Sequence, residues 1–131
     1  MTDKELMELA KKAGQNSYSP YSHFRVGAAL LCKDGRVFCG CNVENISFGA
    51  TNCAERTAVF AAIAEGCREF EKIAISGARE GKDYQRTLPC GVCRQVLSEF
   101  CGSSFEVITE NDKGLCKTTL SQLLPFAFDS F

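Results

Sequence analysis

The sequence contains no tryptophan, one histidine and only three prolines. It has no apolar run long enough to cross a membrane, and its first residues lack the charged-then-apolar pattern of a secretory signal. It also lacks an excess of either charge, since 15 basic and 16 acidic residues are interspersed and the formal net charge is −1. A nucleic-acid-binding protein usually has a basic excess or a basic face. The composition therefore disfavours a membrane protein and a polynucleotide substrate.

Cysteine, by contrast, is abundant, with nine residues in a chain of 131. In a secreted chain this number would suggest disulfides, but without a signal segment it favours a reducing, cytoplasmic compartment. The hydrophobic fraction of 45% is ordinary for a globular protein. The length predicts a single domain over residues 1–131, long enough to bury one core.

Two short segments, 51–56 and 88–94, combine three of these cysteines with one carboxylate. Each lies where a helix is expected to begin. Thr51 and Asn52 are suitable N-caps for the apolar run that follows them, and Pro89 is suited to a first helical turn. A helix N-terminus favours thiolate over thiol because of its unpaired N–H groups and its dipole.

The cysteines of these segments could surround one cation if the two helix starts face each other. Cys53, Cys90 and Cys93 would then offer three thiolates, and Zn²⁺ is the cation that best accepts sulfur in tetrahedral geometry. Three protein ligands leave the fourth position open, as in catalytic zinc sites. Glu55 could reach this position without binding the metal, and Arg56 could offset the thiolate charge.

Other interpretations of the cysteines remain open at this point. A Cys-x-x-Cys pair alone is also typical of redox proteins and of structural zinc sites. A redox protein would cycle Cys90 and Cys93 through a disulfide, and a structural site would need a fourth ligand, such as His23. The pairing of two motifs at two helix starts favours a catalytic metal. The remaining cysteines are predicted to be small buried side chains: Cys32, Cys39, Cys41, Cys67, Cys101 and Cys116.

The segment Cys-Ala-Glu at 53–55, followed by Pro-Cys-x-x-Cys at 89–93, resembles the signature of zinc-dependent cytidine deaminases in its three-cysteine form. The resemblance covers residues 18–128. It implies one Zn²⁺ per subunit, and hydrolysis of cytidine and deoxycytidine to uridine and deoxyuridine plus ammonia, a reaction of pyrimidine salvage. Glu55 is implied to move protons while a zinc-activated water attacks C4, and Arg56 to hydrogen-bond the ligand thiolates.

Asn42 and Glu44 are two residues apart on a predicted strand and therefore share a face. They could be a solvent-exposed strand end, because antiparallel strands commonly present one polar face. Alternatively, an amide and a carboxylate suit vicinal hydroxyls, and the resemblance implies that this pair holds a ribose. The residues on the opposite face are expected to belong to the core: Val37, Cys39, Cys41 and Val43.

The resemblance also implies that Phe24 packs against the pyrimidine and that the Ala54 backbone contacts the base. Phe24 could equally be a core aromatic that opens the first strand. Phe128 is implied to complete the site of a neighbouring subunit in a homotetramer, although an apolar tail could also pack on its own domain. His23 has no visible partner and is interpreted as a loop residue, and Phe48 stands where many relatives carry tyrosine.

The predicted order of elements is helix, hairpin, helix, strand, helix, strand, strand and helix. A capping box at Thr2 and Glu5 begins the first helix, and Thr119 is expected to cap the last. Five strands are predicted, over 24–32, 36–44, 72–76, 105–109 and 115–118. This order predicts an α/β protein with a three-layer α/β/α arrangement and a mixed five-stranded sheet, resembling the cytidine deaminase fold.

Two interpretations other than a cytidine deaminase are compatible with these motifs. One is a related deaminase of another aminopyrimidine, such as blasticidin, against which Asn42 and Glu44 favour a nucleoside. The other is a non-catalytic zinc-binding module, which would use four protein ligands and would not depend on Glu55. An RNA- or DNA-editing deaminase is disfavoured by the near-neutral charge.

Overall fold

The computed structural model describes all residues from 1 to 131. It contains four α-helices, five strands and a short 3₁₀ turn, Phe48–Ala50. In chain order the helices and strands are α1 (Asp3–Gly14), β1 (Phe24–Cys32), β2 (Val37–Cys41), α2 (Ala54–Ala64), β3 (Phe70–Arg79), α3 (Gly91–Phe100), β4 (Glu106–Asn111), β5 (Gly114–Thr119) and α4 (Leu120–Leu123).

The five strands form one sheet in the order β2-β1-β3-β4-β5. Strands β3 and β4 are parallel, and every other neighbouring pair is antiparallel. The parallel pair requires a crossover connection, which α3 supplies. Helix α2 precedes β3 in the chain, so α2 and α3 both lie beside the central strands. The predicted mixed five-stranded sheet is confirmed.

Alternate residues of the strands contact different helices, as the two-residue period of a strand requires. On one face, Leu6, Met7 and Ala10 of α1 pack against the sheet. On the other face, residues of α2, α3 and α4 pack against the remaining strand residues, among them Leu30 and Val107. Helices therefore cover both faces, which confirms the α/β/α layering.

The predicted caps of the first and last helices are also confirmed. The Thr2 hydroxyl accepts a hydrogen bond from the Glu5 backbone N–H at 3.1 Å. Thr119 caps α4 in a reciprocal capping box with Gln122. Both caps are local in sequence and do not depend on distant residues. In α1, however, the Glu5 carboxylate accepts from the Thr2 hydroxyl and not from the Thr2 N–H, so the predicted capping box is only half formed.

Strand β2 is shorter than predicted, and Asn42 and Glu44 lie beyond its end. The core face predicted for this strand is wrong, because Cys39 and Val43 are exposed. The buried side is that of Gly40, which packs so closely on α2 that a Cβ there would lie 2.5 Å from the Ala58 nitrogen. The absence of a side chain at Gly40 lets α2 cover this face of β2. Because β2 is an edge strand, its other face, which carries Cys39, is partly open to solvent.

No helix of the structure combines the length and the apolar character needed to span a bilayer.

Helix α1 also approaches the sheet closely, and this contact predicts a stability effect. A Cβ on Gly27 of β1 would lie 1.9 Å from the Ala10 carbonyl oxygen and 2.4 Å from the Gly14 nitrogen. Both are backbone atoms and cannot rotate away. We expect Gly27→Ala to lower the free energy of unfolding by about 1–3 kcal/mol, the usual cost of overpacking.

Urea unfolding at one protein concentration would measure this loss. Gly49→Ala is the matched control because nothing lies within 4 Å of a Cβ there, and its effect should stay within about 0.5 kcal/mol. Equal stability of the two variants would contradict the close helix–sheet contact.

Candidate metal centre and active site

Two helix N-termini present the three cysteines of the predicted site. Helix α2 begins at Ala54 and α3 at Gly91, and their N-cap residues are Cys53 and Cys90. Cys93 lies in the first turn of α3 and is fully buried. The parallel pairing of β3 and β4 places the two helix starts side by side. In the sequence, only the cysteine spacing of the metal motif indicated that these two segments meet.

The predicted caps of these helices are wrong. Asn52 is held in extended backbone by reciprocal hydrogen bonds with Val43, at 2.9 and 3.0 Å, so it cannot cap α2. Pro89 precedes the cap of α3 and lies outside its first turn. In both cases the ligand cysteine itself occupies the cap position, and no side chain hydrogen-bonds the free N–H groups there.

The three sulfurs form a compact triangle. The Cys53 Sγ lies 3.6 Å from the Cys90 Sγ, which lies 3.5 Å from the Cys93 Sγ. Zinc–sulfur bonds of about 2.3 Å in a tetrahedron require sulfurs about 3.8 Å apart, so the triangle fits one face of a zinc tetrahedron. No fourth histidine, cysteine or carboxylate joins the group. His23 lies beside Glu80, with 3.8 Å between Nδ1 and Oε2, and so is not a fourth ligand.

Arg56, one turn into α2, is the positive group beside this triangle. Its Nη2 donates to the Cys53 Sγ at 3.3 Å. A hydrogen bond from the Cys93 thiol, together with this guanidinium, lowers the pKa of Cys53 to about 5. The same hydrogen bond and burial raise the pKa of Cys93. Without metal the cluster therefore favours one thiolate next to a thiol, and metal binding would displace the remaining protons.

Glu55 is the acidic residue of the site, in the first turn of α2 and only 4% exposed. Burial raises its pKa to about 7 in the metal-free chain, and the neighbouring Cys53 adds to this effect. The Cys93 thiol acts in the opposite direction, by hydrogen bonding to the carboxylate. A buried carboxyl that titrates near neutrality beside a metal site can both accept and donate a proton.

Asn42 is buried and hydrogen-bonded to the chain that surrounds it. Its Oδ1 accepts from the Val26 N–H at 3.0 Å and from the Ser17 hydroxyl, and its Nδ2 donates to the Phe24 carbonyl at 2.9 Å. An amide side chain has four hydrogen-bonding positions, so one N–H remains for a ligand. Asn42 therefore positions Phe24 at the start of β1, a role that its place in the sequence did not reveal.

Glu44 is held by the segment that precedes β1. Its Oε1 accepts from the backbone N–H groups of Tyr21 and Ser22 at 2.9 and 3.1 Å, and its Oε2 accepts from the Ser22 hydroxyl at 2.5 Å. These bonds, the Ser22 hydroxyl first, lower the pKa of Glu44. The carboxylate borders an open hollow of about 440 Å³, together with Phe48 and Thr51. The segment Pro20-Tyr21-Ser22 resembles the family in sequence, but nothing in its spacing links Ser22 to Glu44.

Residues 1–109 match the family model described as the cytidine and deoxycytidylate deaminase zinc-binding region. The chain belongs to this family. A cytidine deaminase of Sporosarcina psychrophila is 47% identical over 129 residues, which cover 98% of this chain and 92% of that protein. The crystal structure of a cytidine deaminase from Burkholderia pseudomallei superposes with a TM-score of 0.89 at 48% identity, covering 98% of this chain and 100% of that one. The predicted family, fold and zinc cofactor are confirmed.

A family member with a different substrate in its name is also similar. The blasticidin-S deaminase of Bacillus cereus is 31% identical over 130 residues, which cover 96% of this chain and 91% of that protein. The zinc-binding region is thus common to relatives named after different aminopyrimidines, and the substrate must be inferred from the residues around the metal.

The other residues expected to contact substrate differ in accessibility. Ala54 is fully buried at the N-terminus of α2, and Phe24 is half-buried. Phe128 is 65% exposed, and its ring packs edge-on against Phe131 at 5.5 Å. Its backbone carbonyl accepts a hydrogen bond from the Gln95 Nε2 at 2.8 Å, so the tail of this cytidine deaminase family member is tethered to the helix that carries Cys93.

His23, interpreted from the sequence as an ordinary loop residue, has a left-handed backbone with a φ of 56°. Its N–H donates to the Ser19 carbonyl at 3.0 Å, and its own carbonyl accepts from the Glu80 N–H at 2.8 Å. These bonds maintain a conformation that costs a non-glycine residue about 1–3 kcal/mol. His23 lies between Ser22, which binds Glu44, and Phe24. The backbone conformation of His23 therefore sets the orientation of both neighbouring residues.

Proposed function

We propose that this protein hydrolyses cytidine and deoxycytidine to uridine and deoxyuridine, with release of ammonia. The observation that carries the proposal is the triangle of three sulfurs without a fourth protein ligand, beside a buried Glu55. A structural zinc site would use four protein ligands, whereas a catalytic site leaves one position for water or substrate. The names of the relatives at 47% and 48% identity support cytidine as the substrate.

In this proposal Cys53, Cys90 and Cys93 hold one zinc ion per subunit. When bound, zinc supplies a Lewis acid that makes water a nucleophile near neutral pH. Three thiolates would leave the centre with a net negative charge, which opposes the loss of a proton from water. Arg56, through its hydrogen bond to Cys53, and the two helix N-termini offset that charge.

Glu55 performs the proton transfers. Its carboxylate takes a proton from the attacking water and delivers it to ring N3 of the cytosine. It then takes the proton of the new C4 hydroxyl and delivers it to the amino group, which leaves as ammonia. One water is consumed and one ammonia is released, so Glu55 ends in the state in which it began. The burial that raises its pKa suits this double role.

The pocket beside the metal is proposed to hold the nucleoside. Phe24 packs against the pyrimidine and the Ala54 backbone contacts the base. The free N–H of Asn42 and the carboxylate of Glu44 hydrogen-bond the ribose hydroxyls. Because Glu44 is already oriented by Tyr21 and Ser22, it binds without losing rotamer freedom, which favours affinity.

We further propose that the single domain, residues 1–131, assembles into a homotetramer in which Phe128 completes a neighbouring site. Exposed aromatic and aliphatic side chains support an additional interface, since large apolar residues rarely cluster at the surface of a monomer. Those around the hollow and in the tail are Tyr21, Ile46, Phe48, Phe126, Phe128 and Phe131. The nine free thiols support a reducing cytoplasmic compartment, where the reaction would serve pyrimidine salvage.

An ultraviolet assay with zinc-loaded protein tests the substrate. We expect turnover of cytidine and deoxycytidine with release of ammonia, and a kcat/KM for blasticidin S that is lower by at least about tenfold, because Glu44 and Asn42 would bind the 3′-hydroxyl that both nucleosides carry and blasticidin S lacks. A preference for blasticidin S, or no turnover of either compound at one zinc per chain, would contradict the proposal.

Glu44→Gln should raise KM for cytidine more than it lowers kcat.

The strained turn at His23 provides a second test of the pocket. His23→Gly should retain KM, because glycine adopts a left-handed backbone without steric cost. His23→Val should raise KM several-fold and lower the free energy of unfolding by about 1–2 kcal/mol, since a β-branched residue resists this conformation. Steady-state kinetics and urea unfolding of the two variants measure both effects. If valine and glycine behave alike, the turn does not position Ser22 and Phe24.

A further inference from the structure

A second group of metal-ligating side chains lies at the opposite end of α2. Cys32, Asp34 and Cys67 each offer a ligand atom, and these atoms all lie within 4.8 Å of one another. Helix α2 has 11 residues, which corresponds to a length of about 16 Å. Cys53 precedes its first residue and Cys67 follows its end, so the two groups are separated by the whole helix.

The backbone holds these three residues in two rigid turns. Cys32 and Asp34 belong to the β1–β2 hairpin, where the Cys32 N–H donates to the Arg36 carbonyl at 2.8 Å and the Gly35 N–H donates to the Cys32 carbonyl at 3.0 Å. Cys67 follows Gly66, whose φ of 84° ends α2, and its N–H donates to the Ala62 carbonyl at 2.9 Å. Little ordering entropy would therefore be lost on binding an ion.

The donor set suits a thiophilic cation. Cys32 is fully buried and Cys67 is 5% exposed, so both sulfurs lie in an apolar environment. Two thiolates and one carboxylate carry three negative charges, which a divalent cation and the Arg36 guanidinium would balance. Arg36 Nε donates to the Asp34 Oδ2 at 2.9 Å, and each carboxylate oxygen keeps a further lone pair for a metal.

The surroundings select the type of cation. A cleft of about 220 Å³ leads to Asp34 and Cys67, and its wall includes three basic side chains and one further acidic side chain: Lys33, Arg36, Arg68 and Glu69. These positive side chains repel ions that are held by charge alone, such as Ca²⁺ and Mg²⁺. An ion that forms strong bonds to sulfur tolerates them, and the cleft leaves room for a water as fourth ligand.

We propose that Cys32, Asp34 and Cys67 form a second site, for a thiophilic divalent cation of the Zn²⁺ and Cd²⁺ class. Bound there, the ion would join the β1–β2 turn to the C-terminal end of α2. Burial and the hydrogen bond to Cys67 raise the pKa of Cys32 to about 12, so binding would release a proton from the Cys32 thiol. The role of the ion would be to stabilise the fold, at a distance from the reaction.

The experiment is a Cd²⁺ titration of the full-length, reduced protein, followed by ultraviolet thiolate absorbance and by metal analysis. The wild type should bind two equivalents per chain. Cys67→Ser should bind one and keep wild-type deaminase activity when loaded with zinc. Cys93→Ser, which damages the first site, should keep the second equivalent. Cys116→Ser, a half-buried thiol outside both groups, is the matched control and should bind two.

Asp34→Asn tests the second site without the risk that loss of a buried thiol prevents folding, because Asp34 is exposed and its change leaves both thiols in place. It should weaken the second equivalent by at least about tenfold, since changes even to outer ligands cost 10–100-fold. A single equivalent in the wild type, or a second equivalent that survives in Cys67→Ser, would overturn the proposal.

Discussion

Glu55→Gln is expected to reduce kcat for cytidine by about 10²–10⁴-fold, the usual contribution of a positioned general acid–base, while zinc remains bound at the sulfur triangle. Glutamine preserves the size of the side chain in its buried position but cannot accept or donate the protons of the reaction. Because Glu55 is not among the three ligand residues, its loss should leave the metal in place. Steady-state kinetics and metal analysis on the same preparation measure both quantities.

The matched control is Glu65→Gln, the same chemical change at the exposed C-cap of the same helix. It should retain wild-type kcat and zinc content. Wild-type turnover in Glu55→Gln would show that another group moves the protons. Loss of zinc from Glu55→Gln would instead indicate that this carboxylate is a ligand, contrary to the proposed division of roles.

Cys93→Ser is expected to lose the zinc of the sulfur triangle and the deaminase activity. Cys93 is the fully buried member of the sulfur triangle, and a serine hydroxyl is not a zinc ligand of comparable strength. Two thiolates then remain, and zinc affinity should fall by more than about 100-fold, beyond the cost of changing an outer ligand. Competition with a chromophoric chelator measures the affinity, and deamination should fall in proportion to the zinc retained.

Cys39→Ser is the control for this change, since Cys39 is an exposed thiol on the edge strand β2. It should retain the wild-type zinc content and full activity. If Cys93→Ser has the same zinc content as Cys39→Ser, the assignment of Cys93 as a ligand is wrong. Addition of a chelator to the wild type should mimic Cys93→Ser, and the activity should return when zinc is restored.

The metal site was predictable because its donors lie in two short segments. Cys53 and Glu55 are two residues apart, and Cys90 and Cys93 are three apart, so a single helical turn positions each pair. The strands were predictable for the same reason, since β-branched and apolar runs specify extended backbone locally. The caps of α2 and α3 and the core face of β2 were not, because they depend on which neighbour covers each segment.

The sequence by itself determined the family and the zinc cofactor of this protein, since three thiols, one acid and one arginine in a local pattern predict a zinc site with a proton-transfer group beside it. Only the tertiary structure decided which groups meet. The bonds from Ser22 to Glu44 and from Asn42 to Phe24, and the proximity of Cys32 to Cys67, join residues 18 to 35 positions apart. Such contacts depend on the register of β1 with β2 and on the packing of α2 beside these strands, which no local spacing encodes.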